Sequence, residues 1–167
     1  KPVIQIVAAT LRGFRYALYT LRQLLKSKIA TCVTITDFPR FRVRAIIEGY
    51  YGPPWKEELR MSMLELMAEH KMNAYFYAPK DDLYHRENWR KLYDNAGSKM
   101  LRKTLEKTTE LDMEFWYNIG PGLSMKYSCR EEFNALTNKL VQIYDLGVRN
   151  FGLLFDDIPM ELQHPED

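Results

Sequence analysis

From residue 43 onward the chain repeats one pattern four times, and that pattern limits the folds open to it more than any other feature. Four short apolar runs, "VRAIIEG", "NAYFYAP", "EFWYNIG" and "NFGLLFDD", each end in a polar loop. The first three loops lead into segments with apolar residues every three or four positions: "KEELRMSMLELMAEHK", "SKMLRKTLEKTTELD" and "REEFNALTNKLVQIYDLG". Brief runs rich in β-branched and aromatic residues read as buried strands, and the segments between them as amphipathic helices. Strands spaced by helices predict a parallel sheet, because parallel neighbours need a long crossover. The period of about 35 to 40 residues is one supersecondary unit, with no internal sequence repeat or low-complexity tract.

The first 41 residues read differently, as strand, helix, strand: "VIQIVAA", "FRYALYTLRQLLK" and "ATCVTI". The polar, proline-bearing "TDFPRFR" that follows is the boundary, dividing the chain into residues 1–41 and 42–167. A length of 167 residues, 46% of them hydrophobic, suffices for one globular core. The formal charge of +2 gives no strong attraction to nucleic acid or anionic membrane. The longest apolar runs fall far short of the roughly 20 residues that cross a bilayer. No signal peptide is visible, because Lys1 leads straight into a strand-like run as if in mid-domain. Cys32 and Cys129 show no metal-ligand spacing and read as two small buried thiols.

Chemistry is expected at the carboxyl ends of the strands, where parallel α/β architectures gather side chains from several strands. Those ends carry Glu48-Gly49-Tyr50-Tyr51-Gly52, Pro79-Lys80-Asp81-Asp82, Asn118-Ile119-Gly120-Pro121-Gly122 and Asp156-Asp157. A buried strand has no structural need of such residues, so one shared site is implied. Asp156 and Asp157 face one cavity only if their strand is already bending into its loop, since successive strand residues alternate. Two close carboxylates resist joint ionisation, which offers a proton donor beside a permanent anion, as general acid catalysis at a glycosidic oxygen requires. The same dipeptide serves equally as a cap for a following helix. Lys80 follows an apolar strand and a proline, and suits donation to a ligand hydroxyl or to a neighbouring Asp. Asp81 and Asp82 read more simply as a cap opening a short helix over "DDLYHRENWRKLY". Gly49 and Gly52 permit close backbone approach to a ligand, or a plain turn. His70, His85 and His164 lack the spacing of a metal pair, and no serine or cysteine lies in a nucleophile motif.

Four stretches, "RAIIEGYYGPPW", "KMNAYFYAPKDDLYHRENWR", "YNIGPGLSM" and "LGVRNFGLLFDDI", closely resemble in order and spacing the motifs of family 84 glycoside hydrolases. These are the O-GlcNAcase and bacterial β-N-acetylglucosaminidase (hyaluronidase-annotated) enzymes. The likeness covers about residues 42–159. "FRYALYTLRQLL" and "ITDFPRFRVR" resemble the end of the small α/β domain that precedes the barrel in bacterial members. The resemblance implies an α/β fold, the N-terminal half of a (β/α)8 TIM barrel. It also implies retaining hydrolysis of terminal β-linked N-acetylglucosamine, with no cofactor or metal and with the substrate's 2-acetamido oxygen as nucleophile through an oxazoline. Asp156 would orient the acetamido group, Asp157 would act as acid and then base, and Gly49 and Lys80 would contact sugar hydroxyls. Tyr50 stands where many members carry Phe, and Gly120 where Ser is commoner.

A whole barrel takes about 250 residues, so this chain ends just after its fourth barrel strand. The family's later groups (a Tyr, a Trp, two Asn and an Asp) have no counterpart. A half barrel leaves two strand edges unpaired, so the remainder of a longer parent chain, or a second copy, is the expected partner. Beyond that, partners are glycans or glycoproteins bearing N-acetylglucosamine, without nucleic acid or a membrane span. Compartment stays open, with secreted or cell-surface bacterial enzymes as the family's precedent. Two other functions compete: a non-catalytic glycan-binding or assembly module, and a metal-dependent sugar deacetylase, which would need histidine partners for "FDD".

Overall fold

The computed structural model describes residues 3–26, 32–162 and 164–167. Helix α1 spans Leu11–Lys26, and three strand-helix units follow: β1 Ala45–Glu48, α2 Glu57–Glu69, β2 Ala74–Tyr77, α3 Asn95–Glu110, β3 Glu114–Ile119, α4 Arg130–Asp145 and β4 Asn150–Leu153. The four strands form one parallel sheet in the order β1-β2-β3-β4. Chain order and spatial order coincide, as in a barrel wall, and β1 and β4 are its edges.

The helices stop alike. Lys71, Asp112 and Gly147 each take a positive φ just past α2, α3 and α4. The next amide then reaches back five residues: Met72 N to Met67 O at 2.9 Å, Met113 N to Thr108 O at 2.8 Å and Val148 N to Ile143 O at 3.4 Å. This left-handed closure satisfies orphan carbonyls and turns the chain toward its next strand. Helix α3 begins three residues earlier than its apolar period suggests, because Asp94 accepts from Gly97 N at 2.7 Å and caps it.

Alternation along the strands sorts the two faces of the sheet. Tyr75, Tyr77, Phe115 and Tyr117 are buried against Leu64 and Met67 of α2, Leu101 of α3 and Ile143 of α4. On the opposite face Ile47 remains 54% exposed, and Phe76 stacks on Trp116 with ring centroids 5.1 Å apart. Such a bare apolar sheet face is what a half barrel presents. Helix α1 lies at the far end of the sheet from the site: Arg12 forms a fork with Asp112 just before β3, at 2.8 and 3.0 Å. Its Arg22 pairs with Glu69 at the end of α2, at 2.7 Å.

Residues 3–9 and 32–35 form no strand, contrary to the strand reading of their sequence, and residues 30–31 of the second run lie outside the described residues. A strand needs a ladder partner, and here Val3 and Ile4 remain 83% and 68% exposed. With α1 these segments line an apolar cleft of about 1030 Å³. The thiols also differ from expectation: Cys32 is exposed in this unpaired stretch, and Cys129 is half-buried at the start of α4, its Sγ 3.1 Å from Glu131 Oε2.

Candidate active site

Two carboxylates at one rim must be separated by their surroundings if they are to do different work. Strand β4 ends at Leu153, and Asp156 and Asp157 lie in the turn beyond it. Asp157 adopts φ 63°, a left-handed conformation uncommon for a non-glycine residue though tolerated best by Asn and Asp. That bend releases the pair from strand alternation, so both side chains meet the same cation. Lys80 Nζ donates to Asp156 Oδ2 and stands 3.7 Å from Asp157 Oδ2.

Lys80 itself is held by the sheet's extension past β2. Ala78 N donates to Glu48 O at 3.1 Å, and Lys80 N to Tyr50 O at 3.2 Å. The bond from Lys80, against a smaller opposing effect of desolvation, lowers the Asp156 pKa below the ordinary carboxylate value, so Asp156 stays anionic. Asp157 has different partners. It accepts from Arg86 Nη2 at 3.1 Å and from the Tyr51 hydroxyl at 3.3 Å. Both carboxylates are about half exposed. Gly49 lies one step past β1 at the same end of the sheet, where an added Cβ would sit 3.2 Å from Ile47 Cγ1.

Several polar residues expected at the site serve the fold instead. Glu48 is fully buried on the helix side, accepting from Arg60 Nη2 and Nε at 2.9 Å each, from Trp55 N at 2.9 Å and from the Tyr75 hydroxyl. Its bond to Trp55 N ties down the loop that carries Gly49 and Tyr51. Asp82 is likewise buried, accepting from Tyr77 and Tyr93 hydroxyls at 2.7 and 2.6 Å and from Tyr84 N at 2.9 Å. The Asp82 turn leads into successive turns rather than the expected short helix, while Asp81 is exposed. His85 is buried: its Nδ1–H donates to Asn118 O at 2.7 Å, and burial lowers its pKa, a shift only partly offset by that bond. Lys139 of α4 lies buried over the rings of Tyr93 and Tyr84, at 4.4 and 5.1 Å. Desolvation brings it down to about 8, with Asp82 opposing. Arg86 and Tyr51 carry no sequence signal beyond their place in strand-end loops. Among the described residues no group of three or more His, Cys, Asp or Glu is placed to hold a metal ion.

The family model described as beta-N-acetylglucosaminidase matches residues 44–167, most of the chain. The chain belongs to this family of glycoside hydrolases. It is 40% identical over 113 residues to the Protein O-GlcNAcase of Rattus norvegicus, and equally to that of Mus musculus, covering 68% of this chain and 12% of each relative. Among solved structures, a variant of the Thermobaculum terrenum O-GlcNAc hydrolase superposes with TM-score 0.73 at 43% identity, over 75% of this chain and 27% of that one. CpGH84B gives TM-score 0.68 at 43% identity, over 71% and 22% respectively. Family 84 enzymes have a TIM-barrel catalytic domain, and the four-stranded parallel sheet here is its α/β architecture in part. The chain thus spans about a quarter or less of each of these relatives. Among the described residues no helix is long and apolar enough to cross a membrane.

Proposed function

We propose that this chain carries the acid pair of a β-N-acetylglucosaminidase that removes terminal β-linked N-acetylglucosamine by substrate-assisted, retaining hydrolysis. The observation that supports it most is the convergence of the pair on one lysine with unlike further partners: Lys80 donates to Asp156 and stands 3.7 Å from Asp157, which also accepts from Arg86 and Tyr51. In the first step the 2-acetamido oxygen attacks C1 and the bond from C1 to the leaving oxygen breaks. Asp157 transfers its proton to that oxygen, and Asp156, kept anionic by Lys80, stabilises the positive charge developing on the acetamido nitrogen. In the second step Asp157 removes a proton from water as the water attacks C1. The oxazoline reopens and the sugar leaves with its configuration retained. The substrate's own oxygen replaces an enzyme nucleophile, one of the known exceptions to the two-carboxylate scheme. Gly49 and Lys80 contact sugar hydroxyls. Residues 42–167 form the first half of the barrel, completed by the rest of a longer chain or by a second copy. Residues 1–41 are the end of a small α/β domain, a reading supported by α1 and the apolar cleft beside it.

The test is turnover of an aryl β-N-acetylglucosaminide by the intact protein, with and without Asp157→Asn. Asparagine keeps the left-handed backbone available, and the expected loss is about 10²- to 10⁴-fold. An unchanged rate, or activity abolished by a chelator, contradicts the proposal, the latter in favour of a metal-dependent deacetylase. Sugar binding without hydrolysis would instead make the chain a glycan-binding module.

A further inference from the structure

Three strand-end loops meet at one carboxylate oxygen. Tyr51 comes from the loop after β1, Arg86 from the turns after β2, and Asp157 from the turn after β4. Arg86 Nη2 lies 3.1 Å from Asp157 Oδ2, its Nη1 donates to the Tyr51 hydroxyl at 3.0 Å, and that hydroxyl lies 3.3 Å from the same Oδ2. Lys80 Nζ, at 3.7 Å, approaches Oδ2 as well. Among the described residues no donor reaches Oδ1 of Asp157. The carboxyl group is therefore fixed through one oxygen while the other is left open.

Arg86 is built to hold still. Its side chain is only 16% exposed and its guanidinium lies 5.6 Å from the centre of the Tyr51 ring. The backbone beside it is pinned to the end of β3, where Gly120 N donates to His85 O at 3.0 Å and the His85 ring donates to Asn118 O at 2.7 Å. Asp157 meanwhile holds a left-handed φ of 63°, a conformation that persists only where surrounding contacts impose it.

We propose that Arg86, acting with the Tyr51 hydroxyl, is the positioning residue of the proton donor: it grips Oδ2 of Asp157 and directs Oδ1 toward the leaving-group oxygen. This rests on the reading of Asp157 as general acid. Its particular consequence is that Arg86 matters in proportion to how much the leaving group needs a proton. Acid assistance is worth most for a basic leaving oxygen and little for a strongly acidic phenol.

The experiment is kcat/KM of the intact protein on aryl β-N-acetylglucosaminides with leaving groups from dinitrophenol to unsubstituted phenol. Arg86→Met should lose about 10²-fold on the phenyl substrate and under about 3-fold on the dinitrophenyl one. Arg86→Lys, retaining charge but not the fork, should recover part of the loss. Tyr51→Phe should show a shallower dependence of the same sign, and it keeps the test open if Arg86→Met fails to fold. An equal loss on every substrate, or no loss in Arg86→Lys and Tyr51→Phe, overturns the inference. Asp157→Asn is the control. If it shows the leaving-group dependence and the Arg86 variants do not, only the role of Arg86 falls. If Asp157→Asn lacks that dependence, or the unaltered protein hydrolyses none of the substrates, the functional reading and this inference fall together.

Discussion

Replacing Arg60 with methionine should open the sheet edge that carries Gly49, and the size of the effect follows from its surroundings. Arg60 is 2% exposed and Glu48 0%. The substitution removes two charge-assisted bonds of 2.9 Å to Glu48 and one of 3.1 Å to the Tyr75 hydroxyl. Glu48 keeps Trp55 N and the Tyr75 hydroxyl, both neutral donors, and is left as a buried anion without a counter-charge. Breaking a buried pair from one side costs about 3–5 kcal/mol. Hydrogen exchange of the β1 and β2 amides measures this locally, and the same free energy corresponds to exchange faster by about 100- to 5,000-fold. Arg60→Met with Glu48→Leu removes both charges and should be the more stable of the two variants, since apolar replacement of a whole buried pair is often neutral. A single-variant cost below about 1 kcal/mol, or a double variant as unstable as the two single effects added, would refute this reasoning.

Lys80→Met should raise the Asp156 pKa toward the ordinary carboxylate range, because the bond that lowers it is gone; carbon-13 NMR titration of the Asp156 carboxyl reads the shift. A pKa lowered in the folded state gives stability that is present above the unfolded value and lost as pH falls through the folded one, so Lys80→Met should show less of this acid-side loss. Lys139 titrates at about 8, below an ordinary lysine near 10.5, so the folded state sheds its proton first. Stability should therefore rise with pH between those values relative to Lys139→Met, and parallel thermal unfolding curves for the two proteins from pH 7.5 to 10.5 would show otherwise.

Local pattern carried most of the barrel segment. Short apolar runs marked β1–β4 and the 3.6-residue period marked α2–α4, because each has an apolar face and a neighbour to bury it against. Strand-like runs misled at residues 3–9 and 32–35, where no neighbouring strand among the described residues supplies a ladder. Adjacency made Asp156 and Asp157 conspicuous, and a lysine straight after Pro79 marked Lys80. Glu48 looked like a site residue and Asp82 like a helix cap, because a buried carboxylate is explained only by partners distant in sequence, Arg60 and Tyr75 for one, Tyr93 for the other. Arg86 was illegible for the converse reason: one arginine in a polar turn forms no pattern, and its meaning comes from loops 35 and 71 positions away.

In the proposed reaction the substrate's acetamido oxygen, steadied by Asp156, does the attacking. Successive fluorination of the N-acyl methyl group in an aryl β-N-acetylglucosaminide weakens that oxygen as a nucleophile and leaves the glycosidic bond unchanged. Measured on the intact protein, kcat/KM should fall steeply with each fluorine. A flat series would mean that something other than the acetamido group attacks the sugar, and the account would be wrong.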